Sequence, residues 1–273
     1  MAFGYNGKIL HVDLTSATQA VEEPPEIFYR RYFGGRAFVA YYLLNKMKPG
    51  VDPLGPENVL VFAGSVLGGA PAHGLCRFSV GAKSPLTGGF GESEAGGYWG
   101  PELKFAGFDA IVITGKSPRP VYLWVHDGTA EIRDASGFWG MITGETQDAI
   151  QEELGDSRIR VALIGPAGEN QVPFANIAND LSHITGRTGM GAVMGSKNLK
   201  AIACRGTKKL ELKDPEAVSK VAQRVSRDRK ENPMSYGLHW MGTPAAVLHF
   251  NHLGTLPTRN FREGTFAGAE KIS

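Results

Sequence analysis

The residues best able to do chemistry in this chain cluster around glycine. The run Glu92-Ser93-Glu94-Ala95-Gly96-Gly97 sets two carboxylates beside a flexible backbone. The run His183-Ile184-Thr185-Gly186-Arg187 sets several hydrogen-bond donors beside another. Backbone N–H groups in such loops, where a helix starts, suit anionic ligands. The second run holds no carboxylate, so its composition reads either as an anion site or as a structural turn. In the first, two carboxylates would repel a phosphate. Either a bound divalent cation bridges those charges or the carboxylates point away. Arg77 stands at a strand start after Pro71-Ala72-His73-Gly74. Its planar guanidinium matches a phosphate or a ring-edge acceptor, and a surface ion pair is the competing reading.

Other candidates are weaker. Cys76 could be a thiolate nucleophile beside Arg77, but no His/Asp partner follows from spacing. Cys204 falls in an apolar strand pattern and reads as packing. His73 is a lone loop histidine. His239, His249 and His252 lie on helical segments with no carboxylate or cysteine to complete a ligand set, and read as structural. Neither GxGxxG nor GxxxxGK[ST] occurs between a strand and a helix, which argues against both common nucleotide loops.

The elements that must position these residues are duplicated. Gly100, Ala110, Ile111 and Gly115 recur as Gly191, Ala201, Ile202 and Gly206, each 91 positions later. Each copy is entered through a glycine-rich loop, 88–97 in the first and 186–191 in the second. Each is preceded by an apolar strand, 59–64 and 160–168. Twin loops suggest one two-part ligand, or two copies of one ligand, held across a pseudo-twofold axis. Alternation over 8–14 and 17–22 predicts a hairpin, and Asp127-Gly128 joins a second one, 121–125 with 129–133. Helices are expected after Pro24-Pro25, over 38–44, from about Pro101, and over 143–154 with Gly155 as C-cap. Further strands are expected at 77–82, 109–114, 159–164, 173–178 and 201–205. Strands joined by both hairpins and helices indicate an α+β fold with mixed sheets. Near residue 210 the pattern turns helical, with one helix from Asp214 to about Glu231 and another from Thr243-Pro244 to Gly254. The expected domains are therefore 1–208 and 209–273, the second reading as the start of an all-α domain that is cut short.

Bulk properties narrow the function classes. The chain has 273 residues, 36 of them glycine, where usage is typically roughly 7%. A net charge of +2 with no basic run argues against nucleic acid. No apolar stretch reaches membrane-spanning length, and the N-terminus lacks a signal-peptide core. Two cysteines without metal spacing make a zinc site or disulfide framework unlikely, so a cytoplasmic setting is expected.

Several longer runs resemble one family. They are Gly4-Tyr-Asn-Gly-Lys-Ile-Leu10, Gly34-Gly-Arg36, Val51-Asp-Pro-Leu-Gly-Pro-Glu-Asn58, Lys83-Ser-Pro-Leu-Thr-Gly88, Ala95-Gly-Gly-Tyr-Trp-Gly-Pro-Glu-Leu-Lys-Phe-Ala-Gly107, Ile164-Gly-Pro-Ala-Gly-Glu-Asn170, the run from Gly189 to Ile202, and Gly254-Thr-Leu-Pro-Thr-Arg-Asn-Phe261. In this order they resemble the tungsten-containing aldehyde:ferredoxin oxidoreductases. The resemblance implies a two-repeat base carrying two pterin dithiolenes on one tungsten. It implies that Arg77 lies between a pterin and a 4Fe–4S cluster, that Ala95 and Gly96 touch one pterin, and that His183, Ile184, Thr185, Gly186 and Arg187 line the other and its phosphate. A magnesium ion bridging the pterin phosphates through backbone carbonyls would use Glu94 and Ile184. The best-known members have Asn and Ala at those two positions and Arg where His183 stands. The family's CxxCxxxC group and later cysteine have no counterpart here, nor do its proton-handling residues, so catalytic residues stay unassigned. The implied activity is aldehyde oxidation to a carboxylic acid with ferredoxin, or another low-potential carrier, as acceptor. A related tungstoenzyme acting on an aromatic acyl thioester, or a non-catalytic pterin-binding fragment, are the alternatives. Molybdenum in place of tungsten, a homodimer and a complex with further subunits all stay open. The helical segment alone should expose apolar surface. Poor solubility of the chain expressed by itself is the outcome expected, checked by size-exclusion chromatography.

Overall fold

The computed structural model describes residues 3–229 and 231–273. Met1 and Ala2, which open the N-terminal stretch tested for a signal, lie outside the described residues. So does Lys230, inside the helix expected over 214–231. Two compact units result, Met1–Asp214 and Pro215–Ser273.

The first unit holds two six-stranded mixed sheets. Strands β1 (Ile9–Asp13), β2 (Thr18–Glu22), β3 (Leu60–Gly64), β4 (Phe78–Lys83), β5 (Phe90–Ala95) and β6 (Ala110–Thr114) lie in the order β2-β1-β6-β3-β4-β5. Strands β7 (Val121–His126), β8 (Thr129–Asp134), β9 (Arg160–Leu163), β10 (Ile177–Asn179), β11 (His183–Thr185) and β12 (Leu199–Arg205) lie in the order β8-β7-β12-β9-β10-β11. These are the same topology. In each sheet the first and last strands pair in parallel, and the other pairings are antiparallel. The 91-residue spacing therefore marks a repeated fold unit of α+β type.

Six helices complete this unit: α1 (Glu26–Tyr32), α2 (Arg36–Lys46), α3 (Trp99–Phe105), α4 (Thr143–Leu154), α5 (Pro166–Glu169) and α6 (Met190–Ser196). The alternation of the strands decides what each sheet face meets. Outward side chains Ile9, Val61, Ala63 and Val112 pack against Tyr29, Phe38, Val39 and Tyr42 of α1 and α2. Tyr122, Val161, Ala201 and Ala203 pack against Ile150 of α4. The inward faces of both sheets share a single core with α3 and α6, from Leu10, Phe62 and Val80 to Leu123, Ile164 and Ile202. Removing apolar side chains of this size from water stabilises by roughly 1.5–3 kcal/mol each.

Polar ties cross from one repeat to the other. The Trp99 Nε1–H donates to the Ile202 carbonyl at 2.9 Å. Arg205 donates to Glu102 at 2.8 Å, and the Gly206 N–H to the same carboxylate at 2.9 Å. Gly206 is required for that approach, because a Cβ there would sit 1.9 Å from the carbonyl carbon of Phe105. Buried ammonium groups are paired within each repeat: Lys104 with Asp109 at 2.6 Å, and Lys200 with Glu169. Asp109 also accepts from the Gly7 N–H at 2.8 Å, which fastens the N-terminal segment.

Several elements differ from those expected. The 88–97 stretch is mostly strand: β5 pairs with β4 from Phe90 to Ala95, because Gly91, Ser93 and Ala95 are small enough to face inward. His183–Thr185 also pairs as a strand, against Ile177–Asn179. The strand expected from Pro173 begins only at Ile177, because the chain first turns, with the Ala175 N–H donating to the Val172 carbonyl at 2.8 Å. In the second unit α7 (Pro215–Asp228) and α9 (Val247–His252) occupy expected helical stretches, the latter after a 3₁₀ turn over Thr243–Ala246. Helix α8 (Pro233–Met241) was not anticipated; Asn232 caps it by accepting from the Ser235 N–H at 3.1 Å. Among the described residues of this unit, Ala269 alone is buried, while Trp240 and Phe261 are 69% and 80% exposed.

Lys197 differs from the other buried lysines. It donates to the carbonyls of Gly115 (3.0 Å) and Pro56 (3.3 Å), and burial pushes its ammonium from 10.5 down to about 8 against the opposing pull of Asp13. The unfolded chain therefore binds more protons between these two values, and this group makes folding more favourable as pH rises through that window. Unfolding free energy by denaturant titration should gain about 3 kcal/mol from it between pH 8 and 10.5. Lys197→Met should lose that gain relative to the parent chain.

Candidate functional site

β5 and β11 occupy equivalent outermost places in their sheets, and the structure lays them side by side. Four hydrogen bonds sew the seam. The Arg187 N–H donates to Ser93 Oγ at 3.2 Å, and Thr188 Oγ1 to the Glu92 carbonyl at 3.4 Å. Asn179 Nδ2 donates to the Gly96 carbonyl at 2.9 Å, and the Tyr98 N–H to Asp180 Oδ2 at 2.6 Å. The two glycine-flanked runs singled out from the sequence therefore meet along one line.

The carboxylates of Glu92 and Glu94 share one face of β5, two residues apart. Both face arginines. Arg36, the first residue of α2, donates to Glu94 at 2.8 Å and lies 3.7 Å from Glu92, while Arg77 stands 3.9 Å from the other Glu94 oxygen. The hydrogen bond from Arg36 to Glu94 and the two glutamate charges push the guanidinium of Arg36 further up. At 66% exposure each arginine contributes little to stability through these pairs. Their effect is to cancel the acidic charge at the seam. Arg36 was not recognised as a site residue; the Gly34-Gly35 break before it was the only local signal, and its partner lies 58 positions on.

The remaining expected residues divide by exposure. Ala95 and Thr185 are buried, and Thr185 Oγ1 donates inside its own hairpin to Ile177 at 3.2 Å, so these positions present backbone only. Gly186 and Arg187 are exposed, Ile184 is 40% exposed, and His183 is half-buried against Gly96. His73, Cys76, Tyr98, Phe105 and His183 line a cavity of about 450 Å³ at one end of the seam. A larger one of about 510 Å³ lies along β2, at the opposite edge of the first sheet. Among the described residues, no group of three or more His, Cys, Asp or Glu could hold a metal ion.

The seam also collects unused acceptors. Four buried side-chain polar atoms among the described residues lack a hydrogen-bond partner, and three belong here: Glu92 Oε1, Asn179 Oδ1 and Asp180 Oδ1. The last faces Arg160 at 3.6 Å, an ion pair without a hydrogen bond. Buried acceptors without donors cost about 1–3 kcal/mol each, and their concentration at one place is the mark of a ligand or ordered solvent. Exposed arginines and backbone next to such acceptors suit an anionic ligand that also carries hydrogen-bond donors.

A family model for the N-terminal domain of aldehyde ferredoxin oxidoreductase matches residues 9–206, and one for its domains 2 and 3 matches residues 220–273. The chain belongs to the aldehyde ferredoxin oxidoreductase family. It is 48% identical, over 99% of its length and 45% of the relative's, to the tungsten-containing aldehyde ferredoxin oxidoreductase of Pyrococcus abyssi. The Pyrococcus furiosus enzyme of that name is 43% identical over the same shares. Among solved structures, the active-site complex of a benzoyl-coenzyme A reductase with 1,5-dienoyl-CoA superimposes with a TM-score of 0.82. It is 41% identical over 85% of this chain and 35% of that one. The chain thus spans less than half the length of these aldehyde ferredoxin oxidoreductase relatives. No helix among the described residues is long and apolar enough to cross a membrane.

Gly97 is a tight position of the seam. Its φ is +91°, and a Cβ there would lie 2.5 Å from Asp180 Oδ2 and 2.6 Å from Asn179 Nδ2. Gly97→Ala should lower unfolding free energy by roughly 2 kcal/mol or more from left-handed strain and collision. Thermal denaturation checks this, with Gly137→Ala, where no atom lies within 4 Å, as the neutral control.

Proposed function

We propose that this chain is the cofactor-binding portion of a tungsten-containing oxidoreductase that converts an aldehyde to a carboxylic acid and passes two electrons to ferredoxin or a similar low-potential carrier. One observation carries the reading: β5 and β11, equivalent edges of two identical topologies, run together and leave buried acceptors without donors between them. A ligand of two like halves is what such a seam would hold. The tungsten-containing relatives support tungsten as its metal, and two pterins are the like halves assigned in this reading.

In this reading residues 1–208 form the base for two pterins and residues 209–273 begin a helical domain. Arg77 and Arg187 face the anionic parts. The backbones of Ala95 and Gly96 approach one pterin, and those of His183, Ile184, Thr185 and Gly186 the other. Carbonyls of Glu94 and Ile184 would meet a magnesium ion bridging the phosphates. The Glu94 side chain, already neutralised by Arg36, neither repels the phosphates nor leaves the cation overcharged. When bound, the cofactor supplies the oxygen-transfer and two-electron chemistry; the protein supplies position and electrostatics. A 4Fe–4S cluster takes four thiolates, and this chain has two cysteines, so at least two of its ligands would come from other residues. The similarity to a benzoyl-coenzyme A reductase supports a second reading, with an aromatic acyl thioester as substrate on the same base.

Expression in a pterin-producing host fed tungstate tests the base itself. The purified chain should carry two pterins per tungsten, without iron, and should not reduce viologen dye with an aldehyde. Arg77→Ala should lower pterin retention by roughly tenfold, the worth of one charge-assisted contact. A chain that holds neither tungsten nor pterin would overturn the proposal.

A further inference from the structure

The seam is held at one end by a network that neither repeat could build alone. Asp180 sits in the turn between β10 and β11 with φ +50°, and its side chain is 7% exposed. One carboxylate oxygen accepts from the Tyr98 N–H at 2.6 Å and from Asn179 Nδ2 at 3.2 Å. The other faces Arg160 Nη1 at 3.6 Å. The Arg160 guanidinium in turn lies over the Tyr98 ring, 4.7 Å from its centroid. Asn179 Nδ2 reaches the Gly96 carbonyl at 2.9 Å, and Gly97 has no room for a side chain because these same groups fill it. The Tyr98–Asp180, Gly96–Asn179 and Tyr98–Arg160 contacts join the first repeat's turn to the second repeat, and the Asp180 contacts to Asn179 and Arg160 brace it from within the second.

We infer that Asp180 is a positioning residue that sets the spacing between the two halves of the cofactor cradle, a role that rests on the function proposed above. The physical case is geometric. Two ligands that converge on one metal tolerate little change in their separation. The strands supporting them belong to different sheets, so no ladder hydrogen bond fixes their distance. At this end of the seam the tie is a buried, charge-assisted acceptor at a backbone N–H, among the stronger hydrogen bonds available. Its partner donor opens α3, the helix wedged between both sheets, so a shift of Tyr98 would be a shift of the whole first-repeat turn. Asp180 would touch neither pterin nor metal. It would act through Gly96 and Gly97.

The test compares Asp180→Ala with Asp180→Asn, which keeps an acceptor oxygen. Two quantities are read on the full chain: amide hydrogen exchange at Tyr98, and pterin released as its fluorescent oxidation product from chain made in a tungstate-fed, pterin-producing host. Asp180→Ala should speed Tyr98 exchange by about tenfold or more and cut pterin content by about the same factor. Asp180→Asn should restore most of both. Arg160→Gln, a milder change at a site 35% exposed, should shift both in the same direction by less, and serves if Asp180→Ala does not fold. Full pterin content in Asp180→Ala despite fast Tyr98 exchange would overturn the spacing role. Unchanged Tyr98 exchange would overturn the tie itself, whether or not pterin binds. Parent chain that carries no pterin while the variants still show the exchange difference would count against the proposed function and the spacing role, leaving the tie intact.

Discussion

Each repeat places a short helix, α3 or α6, where it must satisfy two sheets at once. Trp99 packs with Phe62 and Phe78 of its own sheet while its indole N–H is spent on a carbonyl of the other. All seven residues of α6 are buried, and they meet β4 and β5 as well as β12. Neither sheet can move away without exposing the shared core and stranding Trp99 and Glu102. With the inner faces locked, the outermost strands have only one place to go. The β5–β11 seam is thus a consequence of core packing before it is a feature of any site.

Charge is distributed around this core with the same economy. Lys104 and Lys200 lie in different repeats and each neutralises a carboxylate of its own repeat. Lys104 also donates to the carbonyls of Gly4 and Ser65. Buried pairs of this kind add little over apolar residues of equal volume, but removing one partner is costly, so they specify geometry more than they add stability. At the seam the order reverses. Glu92 and Asn179 keep oxygens without donors, which a structure tolerates where something else is to bind, while the spare oxygen of Asp180 faces Arg160.

Much of the fold could be read from local chemistry. The Asp127-Gly128 turn, with φ of +42° and +90°, and the Gly155 cap announce the β7–β8 hairpin and the end of α4 because only a few residues adopt those conformations. The repeat was visible because Gly191 and Gly206 stand at close backbone contacts that admit nothing larger. Strand β5 was hidden by the glycines that flank it and by Gly91 within it, whose smallness serves inward packing, not turning. Strand β11 is three residues long and carries no alternation to detect. For the site, the runs around Ala95 and Gly186 were legible as composition. Arg36, Asn179 and Asp180 were not, since each acts across 58 or more positions of sequence on a partner in another element.

The seam's symmetry stops at the backbone. Along β5 two carboxylates are quenched by two guanidiniums, while β11 and the turn after it carry an imidazole, His183, and the exposed cation Arg187. Two chemically identical guests seated there would feel unlike potentials, one over neutral ground and one over positive. On the function proposed above, side chains alone would make the two halves of the bound cofactor electronically unequal.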